Sequence, residues 1–141
     1  VSKAERTTTA SLENGARFVV NEKVLTECDQ TANSDFEVVL NGENSKAEVV
    51  SRVVAKGNSK QTFNSKVIGK HKCFGRVECD GIILDSAKIY STPAVAAEHA
   101  ESSLTHEAQI GKIAGEQLLK LMTLGLTRED AEQEIIKGFL D

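Results

Sequence analysis

The sequence predicts a mainly β protein followed by a short helical tail, and three observations carry that prediction. Up to about residue 97, apolar and polar side chains alternate in twos, the period of a strand with one buried face. The runs are short and separated by Asn, Gly and Ser, residues that supply turns for distinct physical reasons. Beyond residue 98 the apolar spacing changes to three and four, which is the period of an amphipathic helix. The expected organisation is a β core over 1–97 and a helical region over 98–141, with helices at about 105–124 and 127–139.

Each element follows from its own pattern. Ala16, Phe18 and Val20 alternate with Arg17 and Val19, and Phe36, Val38 and Leu40 alternate with Glu37, Val39 and Asn41. Over 47–55, Ala47, Val49, Ser51, Val53 and Ala55 share one face, with Glu48, Val50, Arg52 and Val54 on the other. Shorter segments follow at Val67-Ile68, Ile82-Ile83-Leu84 and Lys88-Ile89-Tyr90. Sandwich, barrel and solenoid all satisfy this pattern. Asn-Ser recurs at 33–34, 44–45, 58–59 and 64–65, at breaks between strand-like runs. Such recurrence suits the repeated corner of stacked coils, and it equally suits ordinary turns. In the tail, Ala108, Ile110, Ile113, Ala114, Leu118, Leu121 and Leu124 define the first expected helix, and Gly125 sits where a C-terminal glycine belongs. Thr127 is the expected N-cap of the second, followed by Glu129 and Asp130, with Ala131, Ile135 and Phe139 as its apolar face.

Composition narrows the function. The 141 residues suit one domain, and 40% hydrophobic with 27% charged residues is ordinary for a globular chain. No apolar run approaches the roughly 20 residues of a membrane span, and the charged first residues resemble no export signal. Residues 1–97 carry 13 Lys/Arg and 12 Asp/Glu, whereas 98–141 carry 4 and 9. The acidity therefore sits in the helical region, which argues against nucleic-acid binding. With no Trp, one Tyr and five Phe, the chain also lacks a base-stacking surface. Cys28, Cys73 and Cys79 are an odd number, so reduced thiols in a cytoplasmic setting are expected rather than a disulfide framework.

The densest reactive stretch is 66–80, with Lys66, Lys70, His71, Lys72, Cys73, Arg76 and Cys79. On a strand, His71 and Cys73 would share a face, and cations beside a thiol favour its thiolate. A solvated basic strand with two half-buried cysteines has the same sequence. The spacing lacks both zinc knuckles and a ferredoxin run, so a closed all-thiolate site would need ligands from a second subunit. A local metal site using His71, Cys73 and Cys79 is one reading. His106 and Glu107, expected in the first turn of the long helix, are further candidates: a carboxylate is favoured there and a charged imidazole is not. Nucleophile-elbow, P-loop, dinucleotide and zincin motifs are all absent from the sequence.

Several stretches, taken in order, resemble the SufB/SufD family, scaffold components of the SUF iron–sulfur cluster assembly machine. They are Ser45 to Arg52, Lys60-Gln61-Thr62-Phe63, Cys79-Asp80, Thr92-Pro93, His106-Glu107-Ala108, Ile113 with Glu116-Gln117-Leu118, and Ile136-Lys137-Gly138-Phe139. The resemblance implies a right-handed parallel β-helix followed by a small helical subdomain. It also implies a scaffold without turnover of its own that binds no nucleotide itself. A transient iron–sulfur cluster would be held at a dimer interface, and a SufC-like ABC-type ATPase would dock on the C-terminal helices. Cys79 matches the family's Cys-Asp pair, and His106-Glu107-Ala108 its SufB-type His-Glu-Ala motif. Cys79 and Glu107 are thus the implied iron ligands, shared across the dimer, with His106 beside them and Cys73 and His71 as auxiliary candidates. The partner would be a SufB/SufD-like paralogue or a second copy of the chain, with no nucleic acid and no membrane. The chain is shorter than a full family member, and Leu119-Lys120 stand where an aromatic pair is usual. The rival to this reading is a purely structural dimerisation module with inert cysteines.

Overall fold

Each strand pairs with the strand two places further on, not with its neighbour in sequence. The computed structural model describes residues 2–141. Its strands are β1 (Lys3–Leu12), β2 (Arg17–Thr26), β3 (Thr31–Leu40), β4 (Ser45–Ala55), β5 (Lys60–Gly69), β6 (Cys73–Ile83), β7 (Lys88–Ala97) and β8 (Ser102–Lys112). They form two four-stranded sheets, ordered β1-β3-β5-β7 and β2-β4-β6-β8. All pairings are parallel: Lys3 stands beside Thr31 in one sheet, and Arg17 beside Lys46 in the other. Two strands and two corners therefore make one coil, and the chain is a parallel β-solenoid of about four turns.

The period-two pattern of the sequence becomes an inside and an outside. In β6, Cys73, Gly75, Val77, Cys79 and Gly81 are buried while the residues between them are half-buried. Leu40, Val38, Val49 and Val77 pack with Phe36 and Phe63 between the sheets; the two phenylalanine rings lie 5.7 Å apart, a distance at which tilted aromatic pairs attract. Polar side chains inside are mostly bonded to one another, as burial requires. Gln61 Nε2 donates to Thr26 Oγ1 at 3.0 Å and to the Val54 carbonyl at 2.9 Å, and Ser51 Oγ donates to Glu22 at 3.1 Å.

Corners repeat with the coils. Cys28, Gly57 and Asp85 have φ of 56, 65 and 57°, and the Asn58 and Ser86 amides donate to the carbonyls of Cys28 and Gly57 in the coil before. This left-handed conformation favours Gly, Asn and Asp. Asn44, at φ 59°, does the same at the opposite corner. Of the four Asn-Ser pairs, 44–45 and 58–59 fall at corners, but 33–34 and 64–65 lie within β3 and β5.

Two helices follow, α1 (Gly115–Thr123) and α2 (Arg128–Leu140). Gly125 lies just past α1 at φ 100°, its amide donating to the Met122 carbonyl. Thr127 caps α2, accepting from the Asp130 amide at 3.1 Å. Ile136, with partly buried Phe139 and Leu140, packs on Val54 and Leu84 of the solenoid.

The helix expected over 105–124 is a correction: residues 102–112 are a strand, and the helix starts only at Gly115. The apolar residues 108, 110 and 113 fit both periods, and tertiary pairing decides between them. Beside β6, Ser102, Leu104, His106, Ala108 and Ile110 line up with the inward residues Cys73 to Gly81, so the solenoid extends beyond 97 to Lys112. His106 and Glu107 accordingly lie mid-strand and not in a helical first turn. In α2 the buried residues are Ala131 and Ile136; Ile135 is only half-buried.

Candidate metal centre

Cys79 lies on the inner face of β6, with Ser51 of β4 beside it on one flank and Ala108 of β8 on the other. Its side chain is fully buried. Burial pushes the thiol up to about 11, an effect that the neighbouring Ser91 hydroxyl partly opposes and the Asp80 and Glu22 charges reinforce. At neutral pH the sulfur is therefore a protonated, sheltered thiol. Among the described residues, no Lys or Arg is one of the groups acting on it, so the cations expected to favour a thiolate do not reach it.

His106 and Glu107 are neighbours in sequence on one strand and so project to opposite sides of the sheet. His106 faces inward beside Val77. Its ring is pushed toward the neutral form by burial, and its Nε2 is buried with no hydrogen-bond partner among the described residues. Glu107 is exposed on the outer face, beside Glu78. Arg76 holds Glu78 at 2.7 Å. Desolvation raises the Asp80 carboxyl first, then its hydrogen bond and repulsion with Glu78, with Arg52 opposing and Glu107 adding.

The structure thus brings Cys79 and His106 to the interior of the last two coils and leaves Glu107 on the other side of the same strand pair. It does not assemble the local set of His71, Cys73 and Cys79. His71 lies in the corner before β6, its ring 6.3 Å from that of His99 in the next coil. Cys73 is buried at the start of β6, 3.7 Å from Ser102 Oγ, and the strand carries it roughly 20 Å away from Cys79. All three cysteines are free, Cys28 on the surface. Among the described residues, no group of three or more His, Cys, Asp or Glu is gathered closely enough to hold a metal ion.

Two features escaped the sequence reading. One is an ion pair at the first coils: exposed Arg6 reaches over with Nη2 to buried Glu22 at 3.3 Å, and its guanidinium lies 5.5 Å from the centre of the Phe36 ring. The other is Ser91, inward on β7. A Cβ on Gly81 would stand 3.0 Å from Ile89 Cδ1, which fixes how β6 faces β7 across the interior. The two strands run oppositely about their shared corner, so two residues further along each, Cys79 faces Ser91. Only the registers carry that signal, and they follow from the lengths of the corners.

Comparison with known proteins gives a consistent result. Residues 3–139 match the family model described as "SUF system FeS cluster assembly, SufBD core domain". The chain belongs to the SufBD family. A relative in Archaeoglobus fulgidus, named an iron–sulfur cluster assembly SufBD family protein, is 36% identical over 94% of this chain and 36% of its own length. A Methanothermobacter thermautotrophicus relative of the same name is 37% identical over 79% of this chain and 28% of its own length. The iron–sulfur cluster assembly protein SufB of Bacillus subtilis is 29% identical over 90% of this chain and 28% of its own. This SufBD chain therefore spans about a third of the length of the curated relatives it matches. No helix of the described residues is long and apolar enough to cross a membrane.

Proposed function

We propose that this SufBD chain is a scaffold segment for iron–sulfur cluster assembly, with Cys79 as the thiolate ligand and Glu107 as an oxygen ligand of a cluster held at a dimer interface. One observation carries the reading. Cys79 sits one strand in from β8, the last strand of its sheet, and β8 itself carries both His106 and Glu107. The residues that match the family's motifs thus gather at one edge of the solenoid, where a second chain can supply further ligands.

Mixed thiolate and carboxylate ligation suits a cluster meant for transfer, because four thiolates would hold it too firmly. The neutral, sheltered thiol of the free chain fits a site that loads only when iron arrives, since a metal displaces the thiol proton. The cluster is cargo, and the chain supplies ligands without turnover. The second chain is a SufB/SufD-like paralogue or another copy of this one. The α1–α2 pair, with exposed Leu119, Met122 and Leu124, is the surface offered to a SufC-like ABC-type ATPase.

Anaerobic reconstitution with iron and sulfide tests the reading, with visible absorption and sedimentation followed in parallel. Wild type should develop a charge-transfer band, Cys79→Ser should lose it with its oligomeric state unchanged, and Glu107→Ala should weaken it. If Cys73→Ser abolishes the band while Glu107→Ala leaves it intact, the proposed ligand pair is wrong. A wild-type chain that dimerises but takes up no iron would be a structural module.

A further inference from the structure

We infer that Ser91 is a positioning residue for Cys79: a turn about its Cα–Cβ bond makes its buried, unpartnered hydroxyl the hydrogen-bond partner of the Cys79 sulfur inside the solenoid. The inference deepens the proposed role of Cys79 and rests on three observations.

The first is placement. Ser91 is inward on β7, in register with Phe63 of β5, and the Gly81–Ile89 approach across the interior sets it opposite Cys79. The second is that its Oγ is buried and meets no partner in hydrogen-bond geometry among the described residues. A hydroxyl buried in this way costs stability that an alanine of nearly the same size would not. The third is that the Ser91 hydroxyl is the polar side chain that acts on the Cys79 thiol against the effect of burial. It is near the sulfur without being aligned to it, and a turn about its Cα–Cβ bond is all that alignment requires.

The neighbours leave room for that turn. Ala108, beside Cys79 on β8, is one of the smallest side chains available. Below, in the preceding coil, Phe63 closes the position in line with Ser91, so the interior is apolar on that side, while on the other side β7 is the last strand of its sheet. A hydrogen bond to a metal-bound sulfur drains charge from it and tunes the site's potential. Ser91 therefore bears on how firmly a cluster sulfur is held and not on whether Cys79 can ligate at all.

The S–H stretching band of Cys79 tests this without any cluster. In a Cys28→Ser, Cys73→Ser background, the infrared spectrum reports Cys79 alone. With Ser91 the band should be shifted and broadened by hydrogen bonding. Ser91→Ala should return it to the free-thiol position with the thermal midpoint unchanged or raised, and Ser91→Thr, which keeps the hydroxyl, should restore the shift. An identical band in the serine and alanine proteins overturns the inference whatever the cluster experiments show. Failure of wild type to take up iron would strike the ligand assignment alone, because the infrared comparison is made on the iron-free chain.

Discussion

Replacing Cys79 by alanine should change how the stability of the chain responds to alkaline pH. The fully buried thiol is pushed from its ordinary value of 9.0 to about 11, mainly by desolvation. A rise of that size corresponds to roughly 2–3 kcal/mol between the two protonation states. The folded state favours the proton, so the contribution is fully present below pH 9. It is lost as pH rises through about 11, because the unfolded chain ionises first and is stabilised by doing so. Wild type should therefore lose roughly 2–3 kcal/mol more than Cys79→Ala across that interval. The alanine variant carries its own cost from the lost sulfur, on the order of 1 kcal/mol, but that cost does not vary with pH.

The assay is urea unfolding followed by far-ultraviolet circular dichroism at pH 7, 8, 9, 10 and 11 under reducing conditions, for both proteins. The two proteins differ only at residue 79, so the difference between the curves isolates Cys79. A difference that stays flat through pH 11 would mean the sulfur is already hydrated or paired in the folded state, and the sheltered thiol would have to be abandoned. A difference that begins near pH 9 but levels off well before pH 11, with a smaller total loss, would mean that burial raises the thiol less than its surroundings indicate.

Other residues give sharper structural tests. A side chain on Gly42 would run into the backbone of Asn14 and Glu13 in the coil below, with Asn14 Cα only 2.6 Å away; Gly42→Ala should cost about 3 kcal/mol or more, while Gly111→Ala, with nothing within 4 Å, should be neutral or stabilising in the same urea assay. Ile136→Ala should empty the contact with Val54 and Leu84 at a cost of about 2–5 kcal/mol, seen as helical signal melting below the β transition. Cys28, exposed at φ 56°, should tolerate glycine with a gain of about 1 kcal/mol, read as a higher thermal midpoint.

What the sequence revealed and what it hid follow from the same side-chain periodicity. A strand buried on one face prints its period directly, so Ala47 to Ala55 and Phe36 to Leu40 were legible as inside residues. The capped second helix was legible because Thr127 and the acids after it act within a single turn. Residues 102–112 were not, because Ala108, Ile110 and Ile113 satisfy both a strand and a helix, and the decision rests with the partner strand β6. The same dependence hid Ser91. Its importance lies in facing Cys79 across two sheets, a relation set by corner lengths and invisible to any local window. The motif residues themselves were legible only through resemblance, since spacing alone gave Cys79 and Glu107 no common geometry.

That missing geometry has a cause in the length of the coils. Ser45 of β4 stands beside Cys73 of β6, and Cys73 in turn beside Ser102 of β8, so the last coil is longer than the one before it by a single residue. Glu107 follows Cys79 at the shorter spacing. The extra residue therefore places Glu107 beside Glu78 on the outside and gives Ala108 the inner position next to the thiol. A slip of one residue would reunite the pair. It would also expose Leu104 and Ile110, which β8 turns inward, and sheets with one buried face resist such slips strongly. On the proposed reading, Cys79 and Glu107 therefore reach a common iron only around the edge of β8, the last strand of its sheet. Cross-linking or labelling that finds Cys79 newly accessible when iron and a second chain are both present, and not with either alone, is the outcome that this geometry demands.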